Sequence, residues 1–263
     1  NVGCNKGLDA VEMTRLLSRN PLVSVNDWRN AINMQTRAVC GIPGDVAIPP
    51  TTERSLVGQV HCIEPMPSTV EVLRRALNET KYGDSLVISH AAMSNVSGSA
   101  LFPNGASGKE GFSLDSCTSR SNNSNNNMAV TTTDQENECT NVPVYTLDDY
   151  VAERVTDDTM IDMLLIDAEG FDYEVLQGAT ETLNRVRYLL FEVHIVGNWM
   201  KHSLSQTIDV ILRDFNCYWA GKGKLWRITN CVNKELEELY EYKSWSNVAC
   251  VDKSETELAD IME

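Results

Sequence analysis

Short apolar runs alternate with stretches of helical spacing along most of the chain. Residues 8–17 place Leu8, Val11 and Leu16 at helical spacing, directly behind a glycine-bearing turn at residues 1–7. A turn that feeds a helix at once normally follows a strand, so a first strand is expected upstream of residue 1. Residues 58–63 read as a buried strand that ends at Glu64 and Pro65. Residues 68–82 read as a helix, with Ser68 as its cap and Val70, Leu73 and Leu77 at helical spacing. Residues 85–90 and 99–102 read as strands, and 142–146 as a short extended piece. A helix is predicted over 147–154. The most apolar run, 160–166, is predicted as a buried parallel strand. Then come a helix over 171–183, a strand over 186–193 closing on His194, and a helix over 204–215. Strand candidates at 217–220, 225–228 and 247–251 complete the pattern.

Strands alternating with helices predict an α/β fold, a sheet with helices on both faces. Three strands crowded at the C-terminus predict an antiparallel edge. Prolines 21, 43, 49 and 50 mark residues 20–57 as a loop-rich insertion with one short helix. A second insertion spans 103–141 and contains a Ser/Asn-rich stretch over 119–127, read as a loop. The expected layout is one domain over 1–251 with these two insertions, then an acidic, frayed tail over 252–263.

Composition narrows the function. Hydrophobic residues make up 42 % and charged residues 22 %, which excludes wholesale disorder. No apolar run approaches the roughly 18 residues of a membrane span. Lys and Arg number 22 against 37 Asp and Glu, a net charge of −15 that repels phosphate backbones and argues against nucleic acid as a partner. None of the eight cysteines forms a C-x-x-C pair, against a zinc ribbon or a thioredoxin-type site. Cys117 and Cys139 flank the Ser/Asn-rich stretch, so a disulfide closing that loop is expected, with two free thiols as the alternative. Sequons at Asn78, Asn95 and Asn122 join the cysteines in pointing to the secretory pathway, Golgi lumen or extracellular, with the cytoplasm as the alternative.

The chemistry-bearing residues gather at strand ends, where open α/β sheets place their ligands. Glycines in the opening turn let a ligand approach the backbone, and the helix amides behind favour a polar or anionic group. Glu64 ends the next strand, where an acid commonly accepts hydrogen bonds from ribose hydroxyls. Turn and acid together predict an adenosine-type ligand. Asp167 and Glu169 close the most apolar strand. They suit a general base, a substrate-hydroxyl acceptor or a divalent-ion ligand, with helix capping by Asp167 as the plain alternative. Glu192 and His194 close the neighbouring strand two residues apart, so their side chains share a face and suit proton transfer.

Several segments in one order make a wider pattern. They are N-V-G-C-N-K-G (1–7), I-E-P-M-P (63–67), A-A-M-S-N-V-S-G (91–98), V-Y-T-L-D-D-Y (144–150), L-L-I-D-A-E-G-F-D-Y-E-V-L-Q-G-A (164–179) and F-E-V-H (191–194). Together they resemble the FkbM family of S-adenosylmethionine-dependent O-methyltransferases. The resemblance implies a Rossmann-like, doubly wound class I methyltransferase sheet. It implies that Gly3, Asn5 and Gly7 line the methionine part of the cofactor, Glu64 binds the ribose, and Ala91 and Ala92 lie near the adenine. Asp167, Glu169 and His194 would face the transferred methyl and the acceptor oxygen. Residues 111–114 resemble the segment leading to the cofactor, which adds Ser113. Asn1 stands where the family usually has Asp, so a charge near the cofactor's ammonium is missing, and Leu165 stands where a Lys is usual.

The expected function is methyl transfer from S-adenosylmethionine to a hydroxyl oxygen of a sugar, glycan or other small molecule. His194 is expected as the base, with Asp167 or Glu169 orienting the acceptor or holding a metal; no metal site is assigned. Two rivals stand beside this. A catalytically silent binding domain is motivated by Asn1 and Leu165. A nicotinamide-linked oxidoreductase is disfavoured by the absence of a full G-x-G-x-x-G turn. The sequence leaves the oligomeric state open.

Overall fold

A computed structural model describes residues 1–17, 23–33, 58–80, 82–108, 111–114, 116–117, 138–155, 159–195, 197–221, 224–231 and 246–262. The apolar runs pair largely as their pattern predicts. Strand β1 (Val60–Glu64) lies parallel to β2 (Leu86–His90). On its other side Val2 makes parallel single-residue bridges to Ile63 of β1 and to Ile166 of β6 (Ile161–Ile166). Val2 donates to the Leu165 carbonyl at 2.8 Å and accepts from the Asp167 amide at 3.0 Å, so the opening turn is held between two strand ends.

The sheet continues from β6 to β7 (Val186–Val193), which is parallel to it. Next come β10 (Ser246–Asp252), β8 (Phe215–Gly221) and β9 (Lys224–Arg227). Strand β10 runs antiparallel to both β7 and β8, and β9 antiparallel to β8, the antiparallel C-terminal edge expected from the crowding of strands there. A second sheet was not anticipated. It places β5 (Glu138–Tyr145) between β3 (Ala92–Met93) and β4 (Gly98–Asn104).

The helices follow local signals, with four differences. Helix α1 (Leu8–Leu17) leaves the opening turn, and α2 (Val25–Ile32) is capped by Ser24, whose side chain accepts from the Asp27 amide. Trp28 of α2 stacks on Tyr82 with ring centroids 5.8 Å apart and donates through Nε1 to the Lys6 carbonyl, tying α2 to the turn. Helix α3 (Pro67–Thr80) starts at Pro67, which is suited to a first helical position, rather than on a Ser68 cap; Ser68 Oγ donates instead to the Gly105 carbonyl. Helix α4 (Leu147–Arg154) is capped by Thr146.

The helix expected over 171–183 is split into α5 (Asp172–Gln177) and α6 (Thr180–Leu183). The break falls at Gly178, which packs so closely that a Cβ there would lie 2.4 Å from the Ser94 carbonyl oxygen. The helix expected to reach residue 215 is α7 (Leu204–Val210), because Phe215 is taken into β8. The tail forms α8 (Thr256–Met262) rather than fraying, since Met262 is buried with Tyr218, Ala249 and Val251.

The main core packs Leu164, Ile166, Leu189 and Phe191 of the sheet against Val175, Leu176, Trp199 and Leu204. Disulfides join Cys117 to Cys139, as the flanking positions suggest, and also Cys4 to Cys62 and Cys217 to Cys250. The last links residues paired in register across β8 and β10. Cys40, Asn122 and most of both insertions lie outside the described residues. Among those described, no helix is long and apolar enough to cross a membrane.

Candidate functional site

A cavity of about 750 Å³ opens at the ends of β1, β6 and β7, where Val2 joins the two halves of the sheet. One wall is the opening turn. Gly3 and Gly7 have φ of 73° and 70°, and Asn5 has 43°. Gly3 is required by packing: a Cβ there would lie 1.7 Å from the Asp167 carbonyl oxygen. Gly7 faces away from the cavity, toward Trp28 and Leu73.

Glu64 stands beside this turn and is only 6 % exposed. Its Oε2 accepts from the Asn5 amide at 2.8 Å and its Oε1 from the Met66 amide at 2.9 Å. Burial pushes its pKa up to about 7, against the pull of those two N–H groups and with a further push from Glu169. Ala91 and Ala92 lie on an apolar wall with Met66, Phe102, Phe112 and Leu114.

The acids lie at the other end. Asp167 follows β6, and Glu169 takes φ of 51° before Gly170 at 92°, a tight reversal that turns the loop back to the cavity. Glu169 Oε1 accepts from the Gly111 amide at 2.9 Å and so ties segment 111–114 to the rim. Glu192 near the end of β7 lines the cavity, and its Oε2 is 2.8 Å from Nε2 of the buried His194. Asp172, fully buried, accepts from the Glu192 amide through Oδ1 at 3.3 Å.

This concentration of acid shifts its members. Asp167 is pushed above the usual carboxylate range, first by loss of hydration against the cavity wall and then by Glu192, Asp172 and Glu169. Burial pushes Asp172 up to about 7. Burial disfavours charged His194, but the hydrogen bond and charge of Glu192, with Asp172 and Glu169, outweigh it and hold its pKa above the usual range.

The cavity therefore brings together Asn1, Gly3, Asn5, Glu64, Ala91, Ala92, Asp167 and Glu169. Gly7, Ser113 and His194 do not line it; His194 sits behind Glu192, and the Ser113 amide donates to Ser116 Oγ. Leu165 lines the cavity as well. Sequence reasoning did not single out Asp172, because an acid in a first helical turn reads as a dipole partner.

Fold and cavity together define an α/β protein with a ligand-sized site at its strand ends. The family model for the methyltransferase FkbM domain matches residues 48–216, and the chain belongs to that family of methyltransferases. The match begins after α2, so the opening turn lies outside it. No curated protein and no solved structure matches the chain.

Proposed function

We propose that this chain is an S-adenosylmethionine-dependent O-methyltransferase acting on a hydroxyl of a sugar or glycan. The observation that carries the reading is Glu64, a buried carboxylate in the cavity wall with one backbone N–H on each oxygen. A carboxylate accepts about four hydrogen bonds, so two acceptor positions remain for vicinal ribose hydroxyls. Ala91 and Ala92 leave room for a flat base beside Phe112 and Met66, and the turn at Gly3 and Asn5 exposes backbone to the amino-acid part. The strand sequence β2-β1-Val2-β6-β7-β10-β8 supports a Rossmann-like, doubly wound sheet, with residues 1–251 as one domain.

When bound, S-adenosylmethionine supplies a methyl group on a sulfonium. The chain aligns the acceptor with that methyl and removes the hydroxyl proton. Carboxylates only accept hydrogen bonds, so Asp167, Glu169 and Glu192 suit an acceptor rich in hydroxyl donors. His194 acts through Glu192, which separates it from the cavity. The three disulfides support an oxidising compartment of the secretory pathway, where Asn78 and Asn95 are exposed for glycosylation.

The test is calorimetric titration of S-adenosylmethionine, with NAD as control, into the wild-type chain and Glu64→Ala. Saturable binding weakened by the substitution is expected. No binding to folded protein would overturn the reading. With a hydroxylated acceptor in hand, His194→Ala should lower turnover and leave cofactor binding intact. Leu165 in the cavity wall keeps a second reading in play, a fold that binds the cofactor and transfers nothing; cofactor binding without product on any acceptor would favour it.

A further inference from the structure

Asp167, Glu192 and His194 come from the ends of two adjacent parallel strands and converge. One carboxylate oxygen from each acid and one imidazole nitrogen all lie within 4.8 Å of one another. Glu192 and His194 are 8 % and 1 % exposed, while Asp167 is open to the cavity. Behind them Asp172 is wholly buried; Oδ1 is held by the Glu192 amide, and Oδ2 has no hydrogen-bond partner among the described residues. Glu169 adds a further carboxylate at the rim. Among the described residues none of these acids forms an ion pair with a lysine or arginine. Carboxylates gathered this closely around an imidazole are placed to hold a cation.

We propose that Asp167, Glu192 and His194 form a divalent-cation site in the acceptor end of the cavity. Two carboxylate oxygens and one imidazole nitrogen form a donor set suited to Mn²⁺ or a neighbouring first-row ion, harder than a zinc-thiolate site and softer than an all-oxygen calcium site. A ligating imidazole must be deprotonated, so a cation bound here competes with protons. Asp172 accepts from the Glu192 backbone amide and so fixes the main chain that carries this ligand. Three protein ligands leave coordination positions open toward the cavity, where an acceptor hydroxyl can bind and become more acidic. That catalytic role rests on the methyltransferase reading; the binding site itself does not.

The experiment uses the whole chain stripped with EDTA and held at physiological salt to suppress loose binding to its acidic surface. Free Mn²⁺ is followed by its electron paramagnetic resonance signal during titration, and S-adenosylmethionine binding is measured on the same samples. One Mn²⁺ per chain is expected. Asp167→Asn and Glu192→Gln remove a ligand charge and should each weaken it by at least the roughly tenfold that loss of an outer partner of a metal site costs. Glu71→Gln, on the exposed face of α3, should leave it unchanged. Absence of a stoichiometric site, or equal affinity in all variants, overturns the proposal whether or not the cofactor binds. Loss of cofactor binding with Mn²⁺ binding retained would overturn the methyltransferase reading and leave the cation site standing. Asp167 is exposed, so Asp167→Asn carries the test alone if Glu192→Gln does not fold.

Discussion

Replacing Glu64 with glutamine tests the site through stability as well as ligand affinity. Glu64 sits at about 7 in the fold against an ordinary 4.5, because burial outweighs the two amides that hold it. A carboxyl group whose folded value is raised leaves stability intact at low pH and removes it as pH climbs through the folded value. Between pH 5 and 8 a shift of this size costs about 2 to 3 kcal/mol. Glu64→Gln removes that slope. It introduces a separate, pH-independent cost of about 1 to 3 kcal/mol, because a single amide oxygen cannot serve both the Asn5 and the Met66 N–H. The informative quantity is the change in the difference between the two proteins. Urea unfolding at pH 5 and pH 8 with disulfides intact should show it moving by about 2 to 3 kcal/mol in the variant's favour. Cofactor affinity should move the opposite way. Wild-type affinity at pH 6 should be about tenfold below its alkaline plateau, since only the ionised carboxylate offers both oxygens as acceptors. The variant should bind weakly and without this pH dependence. A constant stability difference across the range, or equal affinity with the same pH profile, would refute the placing of Glu64 as a buried, titrating ribose acceptor.

Three further outcomes follow from packing. Gly3→Ala forces a Cβ into the Asp167 carbonyl at a positive φ, so thermal denaturation should show a loss of about 3 kcal/mol or more; a neutral result would mean that the turn does not sit there. Tyr150→Phe removes the hydroxyl that pairs with Ser89 Oγ at 2.6 Å and His61 Nδ1 at 2.9 Å beneath β1 and β2, and should cost about 1 to 3 kcal/mol in urea unfolding. Cys217→Ser with Cys250→Ser opens the bridge across β8 and β10 and should cost about 2 to 4 kcal/mol, with the paired strands still formed by circular dichroism.

How far the site was legible depended on whether a residue's role is local. Strand ends are local: the apolar run into Asp167 and the run into Glu192 and His194 each fix where a strand stops and which side chains share a face. The Cys117–Cys139 bridge was legible because both thiols flank one loop. Cys4–Cys62 was not, because it depends on Val2 entering the sheet between Ile63 and Ile166, a pairing of residues far apart in the chain. The sheet of β3, β5 and β4 was missed for the same reason, and Gly178 broke a helix through contact with Ser94 rather than through its own sequence context. Spacing put His194 and Glu192 together, yet it did not show that Glu192 would face the cavity and screen His194 from it.

The residues that local rules explain least are the ones around the cavity. Asn5 and Glu169 adopt left-handed backbone without being glycine, and Glu64, Asp172, Glu192 and His194 are polar groups buried where apolar ones would be more stable. None of these choices helps the chain fold, and together they oppose it. The structure compensates close by. The Cys4–Cys62 bridge pins the strained turn to the strand that carries Glu64, and Trp28 secures the Lys6 carbonyl from the other side. The Glu169 carboxylate spends its hydrogen bond on the Gly111 amide, which positions Phe112 and Leu114 over the cavity rather than strengthening the loop itself. A fold that gathers buried acids and left-handed backbone in one place, and braces that place with a disulfide, is organised around a ligand. The divalent cation proposed for Asp167, Glu192 and His194 is a ligand that these side chains can hold.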